Sequence, residues 1–148
     1  MSARRLVLLY NDKDAKQVLA IYESLKARWR RADFVPWMAH RDLTWNGDLF
    51  QQIEGAIHDS LGVIVFLSPH GLGRFQENIE MGAMKTMIWE QGKQFGVLIV
   101  HLPGTTEAPR DLRRYASVNY NQELIDEDAI GAEINRIMET SLISGAVE

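Results

Sequence analysis

Leu61-Gly62-Val63-Ile64-Val65-Phe66-Leu67, followed by Ser68-Pro69-His70-Gly71-Leu72-Gly73, is the stretch that decides the fold. It is the most apolar strand-length run in the chain, and it stops at proline and glycine. A short continuous apolar run bounded by turn residues reads as a strand covered on both faces. Residues 61–67 are therefore expected to form a central strand of a sheet with helices on both sides.

The segments on either side repeat this logic. Leu6 to Tyr10 is a second apolar run, and Asn11 and Asp12 after it suit a turn and a helix N-cap. Ala15, Val18, Leu19, Tyr22, Leu25 and Trp29 then recur at three- and four-residue spacing, which predicts an amphipathic helix. Asp33 to Trp37 reads as a short strand. Pro36 cannot donate a ladder hydrogen bond, so this strand belongs at or near an edge. Ala39 to Asp48 is a polar loop containing Trp45, and Leu49, Phe50, Ile53, Ala56 and Ile57 mark a second helix.

Toward the C-terminus a third helix is predicted from about Phe75 to Trp89, with Met84, Met87 and Ile88 facing inward. A fourth strand follows at Phe95 to Leu102, then a loop from Pro103 to Arg114 and a weak fifth strand from Ala116 to Tyr120. Ile130, Ile134, Ile137 and Met138 mark a last helix, and 141–148 reads as a frayed tail. Strands alternating with helices imply a parallel sheet with right-handed crossovers. Ligands of such sheets bind beyond the carboxyl ends of the strands. Here those ends are the loops after Tyr10, Trp37 and Leu67.

Composition narrows the function classes. The 148 residues suit a single domain, 1–148, with a core of about 4–140. Hydrophobic content of 46% and charged content of 24% support an ordinary packed core. A net charge of −4 and a pI near 5.6 argue against nucleic-acid binding. The densest basic stretch, Lys26 to Arg31, falls at a helix end, where cations suit the macrodipole. With no cysteine, disulfides, thiolate metal sites and cysteine nucleophiles are excluded, and a cytoplasmic location is expected. The apolar run after Arg5 is too short for a signal peptide, and no run approaches the length of a membrane span. His40, His58, His70 and His101 have no ligand spacing, so no metal is expected.

The candidate chemistry centres on Glu80. Positions 77, 80, 84, 87 and 88 share one face of the third helix, so Glu80 starts a stripe that Met84 and Met87 continue inward. An unpaired carboxylate in a dry place costs several kcal/mol or shifts its protonation. The plain alternative is a solvated acid in a first helical turn, which Glu77 fits better. Gly82 weakens the helix; close approach of another backbone or a ligand would explain it, and close packing on the sheet explains it as well. Gly71 and Gly73 match neither a dinucleotide fingerprint nor a P-loop, although they feed a helix N-terminus. Arg41-Asp42 reads as a surface ion pair or as a phosphate contact, and Trp45 as partial core cover or a stacking surface. Ser68 lacks a nucleophile elbow and reads as a turn residue before Pro69.

Taken in order, these residues resemble a known family. Asn11-Asp12-Lys13-Asp14, Arg41-Asp42-Leu43 with Asn46-Gly47-Asp48, Leu67-Ser68-Pro69, Gly71 to Gln76, the glutamate helix, Val100 to Gly104 and Leu112-Arg113-Arg114 follow the sequence of Toll/interleukin-1 receptor (TIR) domains of bacteria. The resemblance runs over roughly 4–140. It implies a flavodoxin-like three-layer sandwich: five parallel strands with helices on both faces. It also implies that Ala39 to Asp48 is the family's mobile BB loop. Many members cleave NAD at the nicotinamide–ribose bond, with NAD as substrate rather than cofactor, and some make cyclic ADP-ribose signals in antiviral defence.

The resemblance carries the catalytic carboxylate to Glu80, because Glu80-Met81-Gly82 is similar to the family's glutamate–apolar–glycine step. Phe75 stands five residues before Glu80, where the family usually has four, and Glu77 is the fallback. The implied substrate-binding set is Tyr10, Asn11, Asp12, Trp37, Arg41, Asp42, Trp45, Ser68 and Phe75, with Arg41 on the diphosphate and Trp45 and Phe75 stacking. Implied partners are NAD or a related nucleotide and other TIR domains. A non-enzymatic adaptor acting through TIR–TIR contacts is a second expectation. A nucleoside-processing domain similar to nucleoside deoxyribosyltransferases is a third.

Overall fold

A computed structural model describes residues 4–29, 34–44, 47–71, 73, 81–91, 95–105, 110–113 and 115–119. Five strands form one sheet: β1 (Arg4–Leu9), β2 (Phe34–Trp37), β3 (Gly62–Leu67), β4 (Gly96–His101) and β5 (Ala116–Asn119). Their spatial order is β2-β1-β3-β4-β5, and every neighbouring pair is parallel. The helices are α1 (Ala15–Trp29), α2 (Ala39–Asp42), α3 (Leu49–His58) and α4 (Met81–Gln91). Single 3₁₀ turns stand at Asp12–Asp14 and Arg110–Leu112.

The run that decides the fold is the middle strand, and each residue of β3 is buried. Alternation along the strands sorts the core into two layers. Leu6, Leu8, Tyr10, Ile64, Phe66, Leu98 and Val100 pack with Val18, Ile21, Tyr22 and Leu25 of α1. Val7, Leu9, Val63, Val65, Leu67, Val97 and Ile99 pack on the other face with Ile53, Ala56 and Ile57 of α3 and Met81, Met84 and Met87 of α4. Burying each large side chain contributes about 1.5–3 kcal/mol. β2, with Pro36, is an edge strand.

Gly62 stands in register with Gly96, and a side chain at Gly62 would run into the Gly96 carbonyl. This close approach lets α3 turn into β3 directly beside the start of β4.

Several details depart from the sequence reading. Residues 39–48, expected to be loop throughout, open with the single-turn helix α2. The reason is tertiary: the Met38 amide donates to Asp42 Oδ2 at 2.9 Å, and the His40 amide donates to the Tyr10 hydroxyl at 3.0 Å. Phe50, counted into the apolar stripe of α3, is 50% exposed, whereas Ile53, Ala56 and Ile57 are buried. Gly82 is exposed, and among the described residues a side chain there would meet no atom within 4 Å, so close packing does not account for it there. The predicted last helix, and the part of the third helix before Met81, lie outside the described residues.

Candidate functional site

In the order β2-β1-β3, successive chain segments leave the sheet in opposite directions between β1 and β3. Ligands of doubly wound sheets bind at this switch point, outside the carboxyl ends of the strands. The loops after β1 and β3 meet there. Asn11, the N-cap of the first 3₁₀ turn, accepts from the Lys13 amide at 3.0 Å. Its amide nitrogen donates to the Gly71 carbonyl at 3.1 Å and, more weakly, to that of His70 at 3.4 Å. Gly73 lies close behind Asn11, and Gly71 takes φ +72, a conformation open to glycine at no steric cost.

Beneath these contacts lies a buried carboxylate. Asp14 is 7% exposed and accepts from the Ser68 hydroxyl at 2.5 Å. Ser68 in turn accepts from the His70 amide at 3.1 Å, and His70 Nε2 stands 3.9 Å from the other Asp14 oxygen. A short bond to a charged acceptor is the strong kind. It ties the 3₁₀ turn before α1 to the end of β3. The β4 end joins the same seam: the Leu102 amide and the Thr105 hydroxyl both donate to the Leu67 carbonyl, at 2.7 Å each.

The loop after β2 is held from two sides. On the crevice side the Tyr10 hydroxyl and His40 Nδ1 are 2.6 Å apart, and His40 Nε2 is 4.0 Å from Asp12. On the α1 side the Tyr22 hydroxyl donates to Asp42 Oδ1 at 3.3 Å, and Arg41 pairs with Glu23 at 3.3 Å. Burial, reinforced by the Asp42 carboxylate, pushes the Tyr22 phenol up to about 12. Beyond α2, the Thr44 amide and carbonyl are both bound by the Gln52 side chain at 2.7 Å, and Asp48 caps α3 through the Phe50 and Gln51 amides.

The structure thus brings Tyr10, Asn11, Asp12 and Ser68 to one rim. Trp37 packs against the α3-side core, Arg41 engages α1 rather than its neighbour Asp42, and both Asp42 oxygens serve the fold. Trp45, Phe75, Glu77 and Glu80 lie outside the described residues. Sequence reasoning missed Asp14, His40 and His70. Asp14 was detectable, because it shares the stripe of Val18, Ile21 and Leu25, the pattern that singled out Glu80. The histidines carry no local signal; only the fold brings each beside a carboxylate of the Asp12–Asp14 turn. Among the described residues no group of His, Asp and Glu could hold a metal ion, and no helix is long and apolar enough to cross a membrane.

A parallel five-stranded sheet with order 2-1-3-4-5 and loops stitched across its switch point defines a flavodoxin-like α/β domain. The TIR domain family model matches residues 7–137, and the chain belongs to that family. Among solved structures it is similar to the TIR domain of the Toll-related receptor TRR-2 from Hydra magnipapillata, at 19% identity and a TM-score of 0.62, covering 93% of this chain and 99% of that one. It is also similar in fold to the Francisella novicida lysine decarboxylase LdcF, at 12% identity and a TM-score of 0.55, covering 96% of this chain but 18% of the decarboxylase. No protein of curated function matches the chain.

Proposed function

We propose that this TIR domain cleaves NAD at the nicotinamide–ribose bond, with Glu80 as the catalytic carboxylate and Glu77 as the alternative. The observation that carries the reading is membership of a family that includes NAD-cleaving enzymes, by a match that runs through Glu80. The position of the crevice supports it, since the loops around the switch point are where this sheet architecture takes nucleotides.

Departure of nicotinamide leaves an oxocarbenium-like ribose, which water captures, losing a proton, to give ADP-ribose, or which the adenine ring of the same molecule captures to give a cyclic product. A carboxylate beside the sugar stabilises that charge and holds the hydroxyls, more strongly where water is excluded. In this reading Asn11 and Ser68 keep the rim rigid, Asp12 is the exposed rim acid, and Phe75 or Trp45 stacks on a ring of the nucleotide. Copies assemble to complete the site, and the protein serves a cytoplasmic defence signal. The test is to follow nicotinamide release from NAD by concentrated protein, free and on a crowding bead surface. Wild-type release that is lost in Glu80→Ala supports the reading. Full activity in Glu80→Ala moves the role to Glu77 or away from both.

A second reading, an adaptor without turnover, is favoured by the exposed side chains of Phe50, Val35 and Trp89. Self-association with no nicotinamide release on any surface would select it.

A further inference from the structure

The first turn of a helix is the positive end of its macrodipole, where carboxylates are stabilised and cations are not. Lys13 nevertheless stands in the 3₁₀ turn that opens into α1, and Lys16 in the first turn of α1, which carries no acid of its own. Both are exposed, and among the described residues neither pairs with a carboxylate. The two acids of the 3₁₀ turn face other groups: Asp12 stands 4.0 Å from His40, and Asp14 accepts from the Ser68 hydroxyl. Nothing in the fold therefore accounts for these two cations. Both border an open cavity of about 490 Å³ on the flank of α1, which Gln17, Ala20 and His70 also line. The crevice residues Tyr10, Asn11, Asp12 and His40 are not part of its lining. Asp14 is the one acid that lines it, and its charge is already answered by Ser68 at 2.5 Å and faced by His70 Nε2 at 3.9 Å.

We propose that this cavity binds a diphosphate group, free or carried by a nucleotide, at a site separate from the crevice. Lys13 and Lys16 supply two ammonium groups on adaptable stems, and Gln17 a neutral N–H donor. An imidazolium at His70 faces Asp14 through Nε2 and can donate to the guest through Nδ1. Hydrogen bonds between such cations and phosphate oxygens are the strong, charge-assisted kind. The volume falls within the range of small-molecule sites, about 300–1,000 Å³, and exceeds what a single phosphate needs. A bound anion also removes the conflict between the lysines and the helix dipole. Because it would engage both α1 and His70, it would brace the seam between the loops after β1 and β3. The site is independent of whether the protein cleaves NAD.

Amide chemical-shift titration of isotope-labelled protein at low salt, with pyrophosphate and with ADP as probes, tests it. At least one probe is expected to shift the amides of Lys13, Lys16, Gln17 and Ala20. The double variant Lys13→Gln, Lys16→Gln should bind that probe more weakly by about tenfold or more, as loss of two charge-assisted partners implies. Without ligand its thermal midpoint should equal or exceed that of the wild type, because two cations have left a positive helix end. ADP bound at these amides at least as tightly as pyrophosphate marks the ligand as a nucleotide, and weaker binding of ADP marks it as a free diphosphate. No shift at these amides with either probe, shifts confined to Tyr10, Asp12 and His40, or undiminished binding by the double variant overturns the proposal.

Discussion

Asp14 is the residue on which the seam between the first and third strands turns. Its carboxylate is buried, yet it is met by one hydroxyl at 2.5 Å and faces one imidazole at 3.9 Å. Ser68→Ala removes that hydroxyl and also the acceptor of the His70 amide, so it should destabilise the fold by about 1–3 kcal/mol. Asp14→Ala should cost a similar amount. Because the two share one interaction, the double variant should cost clearly less than the sum, as read by urea denaturation. Tyr22 allows a second prediction. Below pH 10 its phenol is neutral in both the folded and the unfolded chain. Between 10 and about 12 the unfolded chain loses the proton while the folded chain keeps it. Stability should therefore fall through that window, and Tyr22→Phe should remove this part of the fall. A Tyr22→Phe protein whose stability declines as steeply as that of the wild type between pH 10 and 12 would contradict the assignment.

At the scale of elements, the strands and long helices were legible because their signals are local. The apolar run 61–67 marked β3, and Pro36 marked the edge strand. The three- and four-residue spacing marked α1 and α3. What escaped was set by other parts of the chain. α2 forms because Tyr10 and Asp42 take up its first amides, and no propensity in Ala39-His40-Arg41-Asp42 announces that. Gly82 reads as a packing glycine, but among the described residues it lines an open groove shared with Gln51, Glu54 and Gly55 of α3, which only the fold defines. Gly62 passed unremarked inside an apolar run, although β3 and β4 meet there too closely for a side chain. Gly62→Ala should push the strands apart at their first paired residues and cost about 1–3 kcal/mol, visible as a lower denaturation midpoint with unchanged slope.

At the scale of the whole molecule, strand order was the step from pattern to site. The sequence alone said that three loops leave the same edge of the sheet. The order β2-β1-β3-β4-β5 says that two of them adjoin at the switch point, where Asn11 and Asp14 reach across to the loop after β3. The rim residues Tyr10, Asn11 and Ser68 were legible as strand-end positions. Their roles were not, because each is defined by a partner thirty to sixty residues away. Arg41 and Asp42 show the converse: adjacent in sequence and opposite in charge, they bond to α1 instead of to each other.

The proposed role of Glu80 in breaking the nicotinamide–ribose bond of NAD is read from nicotinamide release by assembled protein. Wild-type protein on a crowding surface should release nicotinamide. Glu80→Ala protein with an unchanged denaturation midpoint should release less by about a hundredfold or more, the scale lost with one transition-state-stabilising group. No release by the wild type in any assembly state, or undiminished release by Glu80→Ala, would contradict it.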